Sequence, residues 1–470
     1  MFIGREHELE TLERMYSRNQ FAMVVLYGRR RVGKTALMDE FTKSKDTLYF
    51  TALQQSDKLN LADFTQEVAR FFDLPNSTPA FADWQSALKY VADRARERSK
   101  PFVFVFDEFP YATQANKSLP SALQIAIDHG FKNTNILIIL SGSNESFMES
   151  EVLGSKSPLY GRRSAQIKLK PFDYLDAAEF LPNCRPEELV NHYATFGGTP
   201  YYLTQLERRK GSYERNVINL CFDPYGLLHE EPMMLLREEL RDPGIYYSVL
   251  QAMSNGNGTP KAIAEHAGVD QNAISAYLKT LEGLGLAERR VPFGDNPSKS
   301  RKGMWVIADP FFSYWYRFVG PNAGPIESGK GEVAARQLAF GEAFSTYVGK
   351  QFETVCMQWV KRVNGTDKLP LLATHFGQWW GTNPLKKEQT DIDIVAADQS
   401  SKALLLGECK WRNTFDETEA VEALLARVGL IAGYRTTHLM FFSKRPVREA
   451  TRRKYAGRVE FVSAADIYER

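Results

Sequence analysis

The eight residues Gly28-Arg29-Arg30-Arg31-Val32-Gly33-Lys34-Thr35 constrain this chain more than any other segment, because they satisfy GxxxxGK[ST] in full. Each position in that pattern has a physical task. The glycines let successive backbone N–H groups turn inward around phosphate oxygens, the lysine reaches the β and γ oxygens, and the final hydroxyl ligates Mg2+. The pattern has meaning only between a strand and a helix, and both are present: residues 21–27 (FAMVVLY) are almost wholly apolar, and residues 36–41 (ALMDEF) form a helical run. At ordinary glycine usage the string arises by chance in about one or two chains per hundred of this length, before the flanking context is counted. A pocket for ATP with Mg2+, formed by residues 28–35, is therefore expected.

Short apolar runs recur at residues 47–50, 102–106 (FVFVF) and 136–140 (ILIIL), with amphipathic segments such as 61–72 and 82–98 between them. Continuous apolar strands alternating with helices describe an open α/β sheet of parallel strands covered on both faces. The third run ends in Asp107-Glu108. Beside a phosphate loop, Asp107 is expected in the Mg2+ shell and Glu108 as the general base that polarises water. The fourth run ends in Ser141-Gly142-Ser143-Asn144, where either Ser143 or Asn144 can orient that water. Arg162 and Arg163, in SPLYGRRS, offer a guanidinium for transition-state charge, or else are surface arginines of a basic turn.

A chain of 470 residues exceeds one ordinary core, which stops growing near ~250–300 residues. The expected organisation is multidomain α/β: a phosphate-loop core over residues 1–172, a helical lid over 173–240, a winged helix over 241–320, a linker over 321–337 and a last domain over 338–470. Hydrophobic residues at 43% and charged residues at 25% exclude a disordered or fibrous class. A formal charge of +2 means that any nucleic-acid contact must come from local basic patches. The early charges and the lack of an 18-residue apolar run argue against a signal peptide or membrane span, so a cytoplasmic protein is expected. Cys184, Cys221, Cys356 and Cys409 lie far apart without CxxC spacing, and neither a zinc site nor a disulfide framework is indicated.

Residues 246–255, 260–267 and 272–284 read as three helices, followed by two strand-like pieces around a polar loop at 294–302. This is the order of a winged helix-turn-helix. Gln271, Asn272, Ser275 and Lys279 would face outward, and Arg289, Arg290, Lys299, Arg301 and Lys302 make the wing basic. The module either contacts DNA or serves as an arm that senses the nucleotide state. Farther on, Asp391-Ile-Asp393 and Glu408-Cys409-Lys410 stand on two strand-like segments. If these pair as a hairpin, Asp393 and Glu408 can share a divalent ion, Mg2+ or Mn2+, while Lys410 positions the water.

Two resemblances follow from these residues. The opening Phe2-Ile-Gly-Arg5-Glu6-His-Glu8 resembles the GRExE start of STAND signalling ATPases, relatives of the AAA+ proteins, and FGGTPYYL resembles their GxP motif. The order GRExE, phosphate loop, DEFPY, SGSN, SPLYGRR and GGTPYYL is similar to the archaeal-type ATPase family over residues 1 to about 205. That resemblance implies that Pro200 lies against the nucleotide base. Residues 338–465 resemble the PD-(D/E)XK nuclease core of the Mrr or Holliday-junction-resolvase style, which implies that Glu353, on the preceding helix, completes the acidic set. The resemblances imply an ATP-hydrolysing switch coupled to DNA binding and metal-dependent cleavage. The alternative is a regulator that binds DNA, a protein partner or a second copy of itself and does not cleave.

Overall fold

Strand β1 (Ala22–Tyr27) is buried at every position because both of its faces are covered. In the structure, a computed structural model describing residues 2–75, 77–384 and 386–469, it runs inside a five-stranded sheet of order β2-β3-β4-β1-β5. The others are β2 (Thr47–Thr51), β3 (Val103–Asp107), β4 (Leu137–Gly142) and β5 (Ala165–Lys168), and every pairing is parallel. Alternation sends Met23, Val25 and Tyr27 to one face and Ala22, Val24 and Leu26 to the other. The second face packs on α1 (Glu6–Tyr16) and α2 (Lys34–Thr42) through Leu12, Leu37, Met38 and Phe41. The first meets α3 (Asp57–Phe71), α4 (Trp84–Glu97), α5 (Phe109–Ala115) and α6 (Leu119–His129).

Four of these strands are the four apolar runs of the sequence. Strand β5 escaped that reading because it is an edge strand with a single buried residue, Ile167, and so lacks a long apolar run.

Contacts divide the chain into two compact units, Met1–Pro171 and Phe172–Arg470. In the second, five helices come first: Tyr174–Ala178, Pro186–Phe196, Pro200–Leu203, Tyr213–Cys221 and Glu231–Glu239. Three more, Pro243–Ser254, Pro260–Ala267 and Ile274–Gly283, lead into β6 (Ala287–Arg290) and β7 (Met304–Ile307), which pair antiparallel.

The stretch expected as a linker is instead helical, in four short pieces: Gly320–Asn322, Ala323–Pro325, Ile326–Lys330 and Gly331–Leu338. Ile326 and Ala335 there are fully buried. A Cβ added at Gly331 would stand 1.7 Å from the Phe222 carbonyl oxygen, so this glycine permits close backbone approach, where the sequence suggested flexibility.

The chain ends in a mixed sheet of order β12-β11-β10-β9-β8, formed by β8 (His375–Thr382), β9 (Gln389–Asp398), β10 (Ala403–Lys410), β11 (Thr436–Ser443) and β12 (Glu460–Ser463). The long helix Glu342–Arg362 packs on β9 and β10. Helix Glu417–Leu425 covers the face that carries Val395, Leu404 and Leu406.

Phe64, fully buried on α3, has ring centroids 5.2 Å from Phe50, 5.3 Å from Trp84 and 5.7 Å from Phe104. Phe64→Ala is expected to destabilise the first unit by about 3–5 kcal/mol, the range for removing a buried aromatic ring. A urea titration of the two proteins measures this directly.

Candidate functional site

The C-terminal ends of β1, β4 and β3 lie side by side, with β4 between the other two. Register sets Leu26 beside Ser141, Tyr27 beside Gly142, and Phe106 beside Leu140. The loop after β1 thus opens at the same sheet edge as Asp107 and Ser143.

In that loop Gly28, Arg31 and Gly33 have φ of 154°, 71° and 91°. A Cβ on Gly28 would lie 2.3 Å from the Leu169 carbonyl oxygen, so only glycine fits there. Val32 and Lys34 are buried; Lys34 Nζ donates to the carbonyls of Gly28 at 2.8 Å and Arg29 at 3.2 Å. Thr35 is exposed on the first turn of α2. Arg30 Nη2 donates to the Tyr111 hydroxyl at 2.5 Å.

Two residues that the motif does not include brace this loop. Arg5, in the left-handed region at φ 70°, donates to the Val32 carbonyl at 3.2 Å and to the Lys170 carbonyl at 2.6 Å. This gives the GRExE opening a physical role. Glu145, buried in the turn after β4, accepts from the Arg29 backbone N–H at 2.8 Å and pairs with Lys168 at 2.7 Å. Its carboxylate shows that an amide of the loop is presented to negative charge. The sequence reading missed Glu145, whose position beside the loop arises only from sheet order.

Asp107 is 6% exposed, and its carboxylate accepts from the Glu108 backbone N–H at 3.0 Å and from the Tyr49 hydroxyl at 3.4 Å. Burial pushes its carboxyl above the usual range, the Glu108 charge adds to this and the Lys34 ammonium opposes it. Burial likewise pushes the Tyr49 hydroxyl up, and the Asp107 charge reinforces it. A desolvated carboxylate and the Thr35 hydroxyl are hard oxygen donors, the chemistry that Mg2+ takes.

Glu108 sits at φ 48°, ψ 43°, left-handed for a non-glycine residue, a conformation that costs of order 1–3 kcal/mol. Its carboxylate is held by Ser143, whose hydroxyl donates to Oε1 and whose backbone N–H lies 3.3 Å from Oε2. Asn144 instead caps the next helical turn, accepting from the Phe147 N–H at 2.9 Å. Of the two candidates after β4, Ser143 is therefore the one turned toward Glu108. Arg162 is committed elsewhere: its Nη2 and Nε donate to Asp128 at 2.6 and 3.2 Å, and its Nη1 to the Pro158 carbonyl at 2.8 Å. Arg163 is exposed. Pro200 belongs to the second unit, where it opens the helix Pro200–Leu203 after Gly197, which has φ 64°.

A second group of acids stands on the C-terminal sheet. Strands β9 and β10 pair antiparallel with Leu406 opposite Val395 and Gly407 opposite Ile394, so the next pair outward is Glu408 with Asp393, on one face. Asp393 Oδ2 accepts from the Cys409 N–H at 2.9 Å. Burial pushes the Asp393 carboxyl up to about 8, with the charges of Glu353 and Glu408 adding to it. Glu353, on the helix Glu342–Arg362, is also pushed up by burial, against the Lys350 ammonium at 2.9 Å; Gln378 donates to its other oxygen at 3.1 Å. Glu408 is ion-paired through both oxygens, Lys410 on Oε1 and Arg427 on Oε2.

Arg427 escaped the sequence reading. It lies past the helix Glu417–Leu425, and no motif marks it. Beside Glu353 a cavity of about 460 Å³ is lined by Arg290, Lys361, Phe376, Gln378 and Trp380 among others.

Gln271, Asn272, Ser275 and Lys279 are all exposed. The five wing cations divide into two groups. Arg289 is turned inward to the carbonyls of Pro297 and Ser300, and Arg290 pairs with Glu288 and Gln378, whereas Lys299, Arg301 and Lys302 are exposed. Among the described residues no helix is long and apolar enough to cross a membrane.

Parts of this chain match known proteins. Residues 2–206 match an ATPase domain found predominantly in Archaea, and residues 315–421 match archaeal and bacterial proteins of unknown function. An uncharacterized protein of Methanocaldococcus jannaschii is 30% identical over 416 residues, spanning 88% of this chain and 89% of that one. An uncharacterized ATP-binding protein of the same organism is 51% identical over 45 residues, 10% of this chain and 76% of its own length. The Walker-type ATPase of Pyrococcus abyssi shares the fold, with a TM-score of 0.50 at 21% identity over 67% of this chain and 96% of that one. The loop, the sheet and these matches define a nucleotide-binding P-loop ATPase. This chain and the Methanocaldococcus jannaschii protein that is 30% identical belong to one family, and residues 2–206 carry the ATPase domain found predominantly in Archaea.

The Arg162 pair also gives a pH signature. Hydrogen bonds from Arg162 and then Lys132 hold the Asp128 carboxyl down, to about 2. A carboxyl lowered in the folded state stabilises it above the unfolded value, and that stabilisation is lost as pH falls toward the folded one. The pair is 22% and 23% exposed, so solvent screening limits it to about 1 kcal/mol or less. The ion pair lost in Arg162→Ala should contribute up to that amount at pH 7, and the gap to wild type should narrow between about pH 4 and pH 2 in urea unfolding, leaving the pH-independent share from the Pro158 carbonyl.

Proposed function

We propose that this protein hydrolyses ATP as a molecular switch, and that its nucleotide state governs DNA engagement and metal-dependent DNA cleavage by the second unit. The observation that carries the reading is Glu108, held in a strained backbone conformation with its carboxylate on Ser143, at the sheet edge where the phosphate loop opens. Lys34 exchanges the loop carbonyls it now contacts for the β and γ oxygens of ATP. Thr35 and Asp107 hold Mg2+, which neutralises charge on those oxygens when bound. Glu108 accepts the proton of the attacking water, and Ser143 keeps its carboxylate aimed. Arg163 takes the charge-stabilising role, because Arg162 is occupied by Asp128.

Glu108→Gln keeps the shape of the side chain and loses the base. ATP turnover should fall about 10²–10⁴-fold with ATP affinity retained, whereas Lys34→Ala should lose affinity as well. Steady-state hydrolysis together with equilibrium binding of a labelled nucleotide separates the two effects.

In the second unit, the three helices and antiparallel pair of strands from Pro243 to Ile307 act as a winged helix, with Ser275 and Lys279 toward the bases and Lys299, Arg301 and Lys302 on phosphates. Asp393 and Glu408 hold Mg2+ or Mn2+, Glu353 completes the acidic set, and Lys410 positions the attacking water. The opposed Asp393–Glu408 pair supports this reading.

One observation favours a non-cleaving regulator: Arg427 and Lys410 together already neutralise Glu408, so a divalent ion must displace a cation. Labelled linear, single-stranded and branched DNA, incubated with Mg2+ or Mn2+ with and without ATP, distinguishes the readings. Cleavage by wild type that disappears in Glu408→Ala, with DNA affinity unchanged, supports the nuclease. If wild type leaves every form intact, the regulator is the correct reading.

A further inference from the structure

Away from both sites, a third set of ligand-type side chains lies along the helix Pro186–Phe196. Glu188 and His192 stand four residues apart within it and share one face, and Cys184 lies in the turn just before it. One ligand atom from each lies within 4.8 Å of the other two. The sequence reading looked for paired cysteines and passed over this helical spacing.

We propose that Cys184, Glu188 and His192 bind a divalent transition-metal ion of the zinc class, with water as the fourth ligand. A thiolate, a carboxylate and an imidazole form a mixed donor set that suits zinc and is a poor match for Mg2+. Tetrahedral zinc spaces such donor atoms about 3.3–3.8 Å apart, so the present spacing needs at most about 1.5 Å of closure.

The surroundings are already arranged for a ligand. Glu188 is 7% exposed and His192 1%, while half-buried Cys184 leaves a path to solvent. His192 Nδ1 lies 2.9 Å from the Glu188 carbonyl and places its hydrogen there, which leaves the lone pair on Nε2. Burial keeps this imidazole neutral, with its pKa pushed down to about 4. The neighbour of Nε2 is the Asn216 amide nitrogen at 3.3 Å. That nitrogen has two hydrogens but three acceptors within reach, the others being the Glu207 carbonyl at 3.2 Å and Ser212 Oγ at 3.3 Å. It can therefore release Nε2 without leaving a hydrogen unpaired.

Glu188 Oε1 accepts from the Gly211 N–H at 2.9 Å, which orients the carboxylate and ties the loop to the helix. On binding, Cys184 gives its thiol proton to solvent. The ion then braces the helix that ends at Phe196, immediately before the Gly197-Gly198-Thr199-Pro200 turn.

The test uses the full-length protein, stripped with chelator and titrated with Co2+. A one-equivalent thiolate-to-cobalt charge-transfer band, displaced by Zn2+ but not by Mg2+, is expected. Cys184→Ser and His192→Ala should each abolish it, and Cys356→Ser should leave it intact. Zn2+ should raise the thermal midpoint of wild type and not that of Cys184→Ser, whose circular-dichroism spectrum, matching that of wild type, shows that it has folded. Absence of the band in wild type, or its persistence in Cys184→Ser, overturns the proposal.

Discussion

Burial of β1 on both faces is the constraint on which the rest of the first unit depends. A strand covered on two sides cannot shift register without exposing apolar side chains, so the point where it ends is set. Gly28 begins there, pressed against the Leu169 carbonyl, and the loop must turn. Because β4 separates β1 from β3, the ends of all three strands form one edge with a crevice above it. Asp107 and Glu108 reach that edge on β3, Ser143 just past β4. Helices on both sides supply the apolar contacts that keep the edge rigid, notably the aromatic group around Phe64 and Phe106.

The two acidic sites handle buried negative charge differently. At the sheet edge, Asp107 is desolvated with Lys34 as the nearby cation, and Glu108 is held by hydrogen bonds from Ser143. This arrangement is poised to gain charge from a nucleotide and its ion. On the C-terminal sheet, Glu353 leans on Lys350, and Glu408 is held between Lys410 and Arg427, while Asp393 between them is pushed toward its protonated form. There the protein supplies its own counter-charges, and any added cation must compete with them.

Glycine and arginine were the residue types whose meaning depended most on context. Residues 321–337 read as a linker, yet Gly331 lies against the Phe222 carbonyl where a side chain would collide. Arg289 and Arg290 read as part of a basic wing, yet both are turned to partners within the second unit. Glycine signals flexibility and close approach equally, and arginine signals solvent and internal pairing equally, until the neighbouring backbone is known.

The sequence by itself determined the phosphate loop, four of the five strands of the first sheet, the acidic pair that ends the third apolar run, and the segments that carry Asp393 and Glu408. These are local matters: a pattern of small and charged residues at set spacing, or an apolar run whose length and neighbours allow one conformation. Tertiary structure alone decided that Ser143 faces Glu108 while Asn144 caps a helix, that Arg5 and Glu145 brace the loop, that Arg162 is spent on Asp128, and that Arg427 reaches Glu408. Apart from the Asn144 cap, each of those contacts joins segments separated in the chain, and which of them meet is set by strand order and helix packing, which no local pattern of residues encodes.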